Sequence, residues 1–466
     1  MTYPTDDTPP QNVDEGVDAI GISFADERQA VAEARALVIH ADIRAHRGER
    51  RRTADECLEE AINLSAAINL DIVDAFVVRV EKPRPSTLLG TGKMEELATL
   101  IDGEEIEVVI FDGSLTPGQQ RNLERALRAK VLDRTALILE IFGERARTKE
   151  GKLQVDLAHL NYQRTRLVRS WTHLERQRGG AGFMGGPGET QMEADRRTLE
   201  ERIGRLKREL KTVTATRTLH RKGRKKVPYP IVALVGYTNA GKSTLFNRIT
   251  QSDVMAKDML FATLDPTLRG VTLPSGRQII LSDTVGFISD LPTELVAAFR
   301  ATLEEVLEAD LVLHVRDAAS DFFVAEGADV ADVLRGLGLT DNDIDAMVEV
   351  SNKLDLMSDE AKEAAMNEAS RHELQVAVSA LDGLGVDELL SLIDARLGMG
   401  ERDYDVTVPA ADGAALAALH QLGDILQQSH LDDGATALTV RLADKGVGQF
   451  HKQYPAINLM KLPKKR

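Results

Sequence analysis

A single cysteine, Cys57, in 466 residues excludes an internal disulfide and fits a reducing compartment. One such small side chain is read as a packing residue rather than a nucleophile. Long apolar runs are also missing: none approaches the roughly 20 residues that a membrane helix needs, so no membrane span is expected. The opening Met1-Thr2-Tyr3-Pro4-Thr5-Asp6-Asp7 has no basic end and no apolar core, which argues against a secretory leader. A cytoplasmic location is the expectation. Positive charge is scarce as well. The 58 Lys and Arg against 74 Asp and Glu leave a net charge of −16, which argues against indiscriminate binding to nucleic acid.

What basic charge there is lies in one place. Residues 161–226 hold 18 Lys and Arg against 7 Asp and Glu, a local +11, so the remainder of the chain carries −27. A concentrated basic block on an acidic protein is the electrostatic footprint of a polyanion site. A solvated helical face is the alternative, but such faces mix the two signs more evenly.

The chain divides by pattern into a multidomain α/β protein. Residues 1–25 are acidic, proline-containing and without apolar periodicity, and are expected to form a disordered tail. Residues 26–145 alternate strand-like runs (Leu37–Ile39, Val73–Val78, Val108–Phe111) with helical ones (Glu56–Ala67, Lys93–Ile101, Gln119–Ala129), which predicts a small parallel α/β N-terminal domain. In residues 146–226, Leu153, Leu157, Leu160, Arg164, Leu167, Trp171 and Leu174 recur at spacings of four and three. Leu199, Ile203, Leu206, Leu210 and Val213 do so again. Between the two sets, residues 179–188 contain six glycines and Pro187, which no helix continues. An antiparallel helical hairpin follows, with arms of roughly 40 Å. Its glycine-rich tip carries Phe183 and Met184, with Arg176 and Arg178 just before them. Residues 227–398 alternate strands and helices again, as a P-loop GTPase domain. Residues 399–466 form a small α+β C-terminal domain, with a helix expected over Gly413–Gln428 and a strand over Ala435–Leu442.

The nucleotide reading starts at Gly236-Tyr237-Thr238-Asn239-Ala240-Gly241-Lys242-Ser243-Thr244, behind the strand-like Ile231–Val235 and ahead of a helical stretch. Its glycines let backbone N–H groups curl around phosphate at a helix N-terminus, Lys242 neutralises the outer phosphates, and the Ser243 hydroxyl ligates Mg²⁺. Asp283-Thr284-Val285-Gly286 follows. There Asp283 holds the Mg²⁺ shell and the Gly286 N–H senses the γ-phosphate. In Asn352-Lys353-Leu354-Asp355, the carboxylate of Asp355 accepts from guanine N1–H and N2–H₂, a donor pair that adenine lacks, while Lys353 lies along the base. Ser379 and Ala380 complete the base pocket through backbone N–H groups. A switch threonine for Mg²⁺ belongs in Phe261–Thr267, and Thr263 is preferred to Thr267. Lys242, Thr263 and Gly286 are the expected catalytic groups, with GTP and Mg²⁺ as ligands.

One absence shapes the mechanism. Phe287 follows the DxxG, where many regulatory GTPases place a glutamine that orients the attacking water, and a phenyl ring has no such capacity. Slow intrinsic hydrolysis, accelerated by a partner, is expected. Asn239 corresponds to a residue that helps hold K⁺ in several GTPases with a similar loop, and K⁺ can supply charge that an arginine finger gives elsewhere.

With these residues assembled, the chain resembles the HflX family of translational GTPases. The likeness rests on Leu89–Leu97, Gln119–Glu124, the glycine-rich tip through Gly188-Glu189-Thr190-Gln191, and Phe261–Thr267. The resemblance implies binding to the large ribosomal subunit and its rRNA, and GTP-linked splitting of stalled or idle ribosomes by a monomer. It also implies that the tip reaches toward the peptidyl transferase centre, a role that falls here on Arg176, Arg178, Phe183 and Met184. Residue chemistry points the same way, since arginines contact RNA phosphates and an aromatic ring stacks on an unpaired base. Phe183 packed against its own hairpin is the competing assignment. A GTP-gated RNA-binding or ribosome assembly factor is the alternative function, and a protein–protein regulator acting through the coiled coil is a third.

Overall fold

The computed structural model describes residues 34–44, 51–177, 187–224, 229–252, 261, 267–289, 305–399 and 401–462. The first sheet is parallel, in the order β2-β1-β3-β4, from β1 (Arg35–Ile43), β2 (Asp71–Val80), β3 (Val108–Asp112) and β4 (Lys130–Asp133). Its central strands carry the buried apolar runs Ala36–Ile39 and Val108–Phe111, as strands of a parallel sheet covered on both faces do. Helices α1 (Ala54–Ala66), α2 (Thr91–Gly103) and α3 (Pro117–Leu127) connect them. Thr53 with Glu56, and Thr116 with Gln119, form capping boxes that fix where α1 and α3 begin. Arg128, at φ 54°, ends α3 in the left-handed region.

Two elements of this N-terminal domain escaped the sequence reading. Strand β4 and helix α4 (Arg134–Arg145) occupy a stretch whose run Ala136 to Phe142 is almost wholly buried. A helix that is apolar nearly all round shows no amphipathic period, so its burial had to come from neighbours. Those neighbours belong to three parts of the chain. One apolar cluster joins α4 to Val155 and Ala158 of α5 (Lys149–Gln177), and to Val235, Val285, Phe287 and Leu334 of the following domain. Phe142 meets Phe261 edge-on, ring centroids 4.7 Å apart.

The hairpin consists of α5 and α6 (Pro187–Arg224), seamed by Leu153, Leu160, Leu199, Ile203 and Leu206. The seam positions 167, 171 and 174 are helical, but their side chains fall outside the description, as does that of Arg176. Arg178, Phe183 and Met184 lie outside the described residues.

The third unit is a six-stranded sheet in the order β10-β9-β8-β5-β7-β6. It comprises β5 (Ile231–Val235), β6 (Thr267–Thr272), β7 (Gln278–Asp283), β8 (Leu311–Asp317), β9 (Val348–Asn352) and β10 (Gln375–Ala377), parallel except for β6. Helices α7 (Lys242–Thr250) and α8 (Phe323–Leu337) follow β5 and β8.

The last unit is an antiparallel sheet ordered β12-β13-β11-β14, from β11 (Glu401–Val408), β12 (Gly423–His430), β13 (Thr436–Ala443) and β14 (Met460–Lys461). Here the expected helix over Gly413–Gln428 is corrected: the helix stops at Leu422, and β12 begins at Gly423. Gly423 lies so close to β13 that a Cβ there would sit 2.1 Å from the Arg441 carbonyl oxygen. That approach commits the segment to the sheet despite its helical pattern.

Candidate functional site: a phosphate loop between two sheets

The loop between β5 and α7 depends on glycine at two positions. Gly236 has φ +154°, and a Cβ there would lie 2.0 Å from the Val315 carbonyl oxygen. At Gly241 φ is +86°, and a Cβ would come within 2.2 Å of Asn352 Nδ2. Neither site admits a side chain. Asn239 also takes the left-handed region, at φ 61°, which asparagine tolerates better than most residues.

Lys242 opens α7 and is buried. Its Nζ donates to the carbonyls of Gly236 at 3.1 Å and Tyr237 at 2.7 Å, which aims the ammonium along the loop. Burial drives its pKa down to about 8, partly countered by Asp283 and Glu326. Ser243 Oγ donates to Asp283 Oδ2 at 2.7 Å. These two hard oxygen groups, on the loop helix and at the end of β7, are the donor chemistry that Mg²⁺ takes. Thr244 is next on α7. Thr263 lies outside the described residues, while Thr267 begins β6 and pairs across to Asp283.

The segment after Asp283 is zipped onto the loop. Thr238 N–H donates to the Phe287 carbonyl at 2.7 Å, and Phe287 N–H to the Gly236 carbonyl at 3.1 Å. Gly286 therefore sits tightly against Thr238 and Lys242, where a Cβ would lie 2.9 Å from Thr238 Cα and 3.0 Å from Lys242 Nζ. The Phe287 ring is 2% exposed and belongs to the apolar cluster shared with α4. It is a packing group, with no chemistry to offer an attacking water.

On the base side, buried Asn352 is a brace. Its Nδ2 donates to the Ala240 carbonyl at 2.9 Å, and its Oδ1 accepts from the Ala380 N–H at 3.0 Å, tying the phosphate loop to the base loop. Ser379 Oγ donates to Asp355 Oδ1 at 2.7 Å and accepts from the Asp382 N–H at 3.1 Å, which orients the carboxylate. Lys353, at φ 66°, pairs with Asp317 at 2.8 Å. Sequence reasoning missed Arg248. From α7 it donates to the carbonyls of Ala380, at 3.0 Å, and Leu381, steadying the same loop. An arginine on a helix carries no signal that its partners are carbonyls 132 residues away.

The larger omission is the N-terminal domain's presence at the site. Glu60, on α1, accepts from the Tyr237 hydroxyl of the phosphate loop, from Ser289 Oγ, and from Arg134 at 2.7 Å. Burial alone would raise its pKa, but Arg134 and Arg52 outweigh that and hold the carboxyl below its usual range. Arg134 also donates to Ser289 Oγ and to the Ser289 carbonyl, each at 2.9 Å, and to Asp112 at 2.7 Å. The Ser289 N–H donates to the Tyr237 hydroxyl at 2.7 Å. A cavity of about 290 Å³ lies beside this network, lined by Arg52, Tyr237, Thr238, Asn239, Asp317 and Glu326.

A glycine-formed anion cradle on a parallel sheet, with a serine–aspartate pair for a divalent cation and a carboxylate set for guanine, defines a P-loop GTPase. Family models agree along the chain. Residues 231–353 match a model described as 50S ribosome-binding GTPase, residues 55–143 and 145–224 match the N-terminal and middle regions of a GTP-binding GTPase, and residues 364–459 match the HflX C-terminal domain. The chain is 48% identical to GTPase HflX of Magnetococcus marinus over 86% of its length and 92% of the relative's. Against GTPase HflX of Escherichia coli it is 42% identical, covering 86% of this chain and 93% of that one. The chain belongs to the HflX GTPase family and hydrolyses GTP. Among solved structures, a GTP-binding protein from Sulfolobus solfataricus in complex with GDP aligns at 23% identity and a TM-score of 0.41, over 78% of this chain and 99% of that one.

Proposed function

We propose that the protein is a cytoplasmic, monomeric GTPase that binds the large ribosomal subunit and splits stalled or idle ribosomes, with hydrolysis stimulated by the ribosome. The observation that carries this reading is the joining of a guanine site to a basic hairpin. Within the +11 block of residues 161–226, residues 161–177 and 187–224 fall on two packed helices, one of 38 residues and so ~57 Å long. That reach suits rRNA buried inside a particle. Arg176, Arg178, Phe183 and Met184 are assigned to RNA contact at its tip. No described helix is long and apolar enough to cross a membrane.

At the nucleotide, Gly236, Asn239, Gly241, Lys242, Ser243 and Thr244 cradle the phosphates. Asp283, Ser243 and Thr263 hold Mg²⁺, and Asn352, Lys353, Asp355, Ser379 and Ala380 select guanine. Mg²⁺ held by these oxygens would supply positive charge to the outer phosphates. Lys242 and the Gly286 N–H supply fixed positive charge on the same side. Asn239 is assigned to K⁺, and turnover in K⁺ buffer above that in Na⁺ buffer is the expected result; equal turnover removes the assignment.

Sedimentation of whole ribosomes with protein and GTP tests the function. Conversion to free subunits, lost in Phe183→Ala, is expected of a splitting factor. Co-migration without conversion would establish the alternative, a GTP-gated RNA-binding or assembly factor.

A further inference from the structure

Among the described residues, one hydroxyl is buried without a hydrogen-bond partner, and it stands in the phosphate loop: Thr238 Oγ1. The residue is 6% exposed. Three hydroxyls around it are spent. Thr284 Oγ1 donates to the Leu234 carbonyl at 2.6 Å, Ser243 Oγ to Asp283, and the Tyr237 hydroxyl to Glu60. The Thr238 N–H is spent too, on the Phe287 carbonyl. A buried polar group left unpaired costs stability, and such groups persist where a ligand or water completes them.

The surroundings point to what completes this one. Thr238 packs against Gly286, where a Cβ would lie 2.9 Å from both Cα and Cγ2 of Thr238 and 3.0 Å from Lys242 Nζ. The hydroxyl is one bond angle from that methyl, so it borders the space shared by the Gly286 N–H and the Lys242 ammonium. A γ-phosphate between those two groups lies within its reach. The cavity of about 290 Å³ also extends to Thr238, which leaves room for water at the same side chain. The reaction calls for a polar group there, because the buried Phe287 ring has none. A threonine hydroxyl both donates and accepts, as a glutamine amide does.

We propose that Thr238 is a catalytic residue of GTP hydrolysis, its hydroxyl donating to a γ-phosphate oxygen and accepting from the attacking water. The water oxygen bonds to the γ-phosphorus as the bond to the β,γ-bridging oxygen breaks. The electron pair leaves with GDP, and the water proton passes to a phosphate oxygen. Thr238 orients the water and keeps its own proton. GDP has no γ-phosphate, so its binding does not use the hydroxyl. The assignment rests on the placement of the γ-phosphate between Lys242 and the Gly286 N–H given above.

The test compares Thr238→Val, an isostere without the hydroxyl, with Thr238→Ser, which keeps it, both in the full chain. Single-turnover hydrolysis of radiolabelled GTP by excess protein reads the rate without ribosomes, and competition with fluorescent GDP reads affinity. Thr238→Val is expected to lower the rate roughly ten- to a hundredfold, the worth of one hydrogen bond to a charged group. Its GDP affinity is unchanged, and Thr238→Ser hydrolyses close to the wild-type rate. Removing an unpartnered hydroxyl also raises the melting temperature of Thr238→Val, so activity and stability move in opposite directions. A merely structural threonine would instead give a lower melting temperature and weaker binding of GTP and GDP alike. Either that pattern or an unchanged rate overturns the assignment. Should Thr238→Val fail to fold, Thr238→Ala set against Thr238→Ser carries the same comparison. Lys242→Ala separates the two readings. Wild-type turnover in that variant sinks the γ-phosphate placement, whereas lost turnover there beside full turnover in Thr238→Val sinks Thr238 alone.

Discussion

Two parallel sheets in this molecule present their strand ends to each other's neighbourhood and do opposite things there. In the GTPase sheet, the end of β5 runs into glycines, and a single buried lysine faces the place where phosphate binds. In the N-terminal sheet, His40 of β1 and Asp112 at the end of β3 lie 2.6 Å apart, and Arg134 follows β4 to close an ionic set with Glu60. One set of strand ends is left as backbone donors for a ligand, and the other is saturated by its own side chains. The architecture is shared, so the difference lies in residue chemistry alone. A saturated end serves as a joint, and an unsaturated one serves as a site.

The joint breaks more severely than the site. Arg134→Ala leaves Asp112 and Glu60 buried without their main partner and is expected to cost about 3–5 kcal/mol of stability, measured by urea unfolding. Lys242→Ala should spare the fold and lower GTP turnover on the order of 10²–10³-fold, the scale of one lost charge-stabilising group. A variant that unfolded instead would make the loop a joint like its neighbour. Asp355→Asn exchanges a double acceptor for a group that also donates, so GTP affinity should fall on the order of tenfold or more while xanthine nucleotides gain. Fluorescent-nucleotide competition reads both.

The smallest effect is the pH dependence. In the nucleotide-free protein Lys242 loses its proton near pH 8 because burial outweighs the nearby carboxylates. Phosphates restore the charge, so binding takes up a proton above pH 8. GDP affinity is then flat below pH 8 and falls by up to about tenfold per unit above it. A flat profile through pH 9 would show Lys242 already paired, as the arginines of the joint are.

The site and the joint differ equally in how far the sequence discloses them. Gly241, Lys242 and Ser243 stand side by side because one loop must do their work, so local order betrays them. Asp355 and Ser379 are farther apart, but each sits where a strand of the alternating pattern ends. The members of the joint have no such order. Glu60 is one acidic residue on a helix of many, and its partner Tyr237 lies 177 positions on. Tyr237 occupies a position in the phosphate loop that the motif leaves free. Phe287 invited reading as a missing catalytic group, and its burial against the shared cluster shows what it does instead.

Local sequence determined the helix starts at Thr53 and Thr116, the glycines at 236 and 241, the heptad seam and the order of the nucleotide motifs, since each rests on interactions within a few residues or on a short period. Tertiary structure alone decided that Gly423 begins a strand, that α4 is buried among three parts of the chain, and that the N-terminal domain holds the phosphate loop by Glu60 and Arg134. Those outcomes depend on desolvation and close approach between distant segments, and neither quantity exists until the chain has folded.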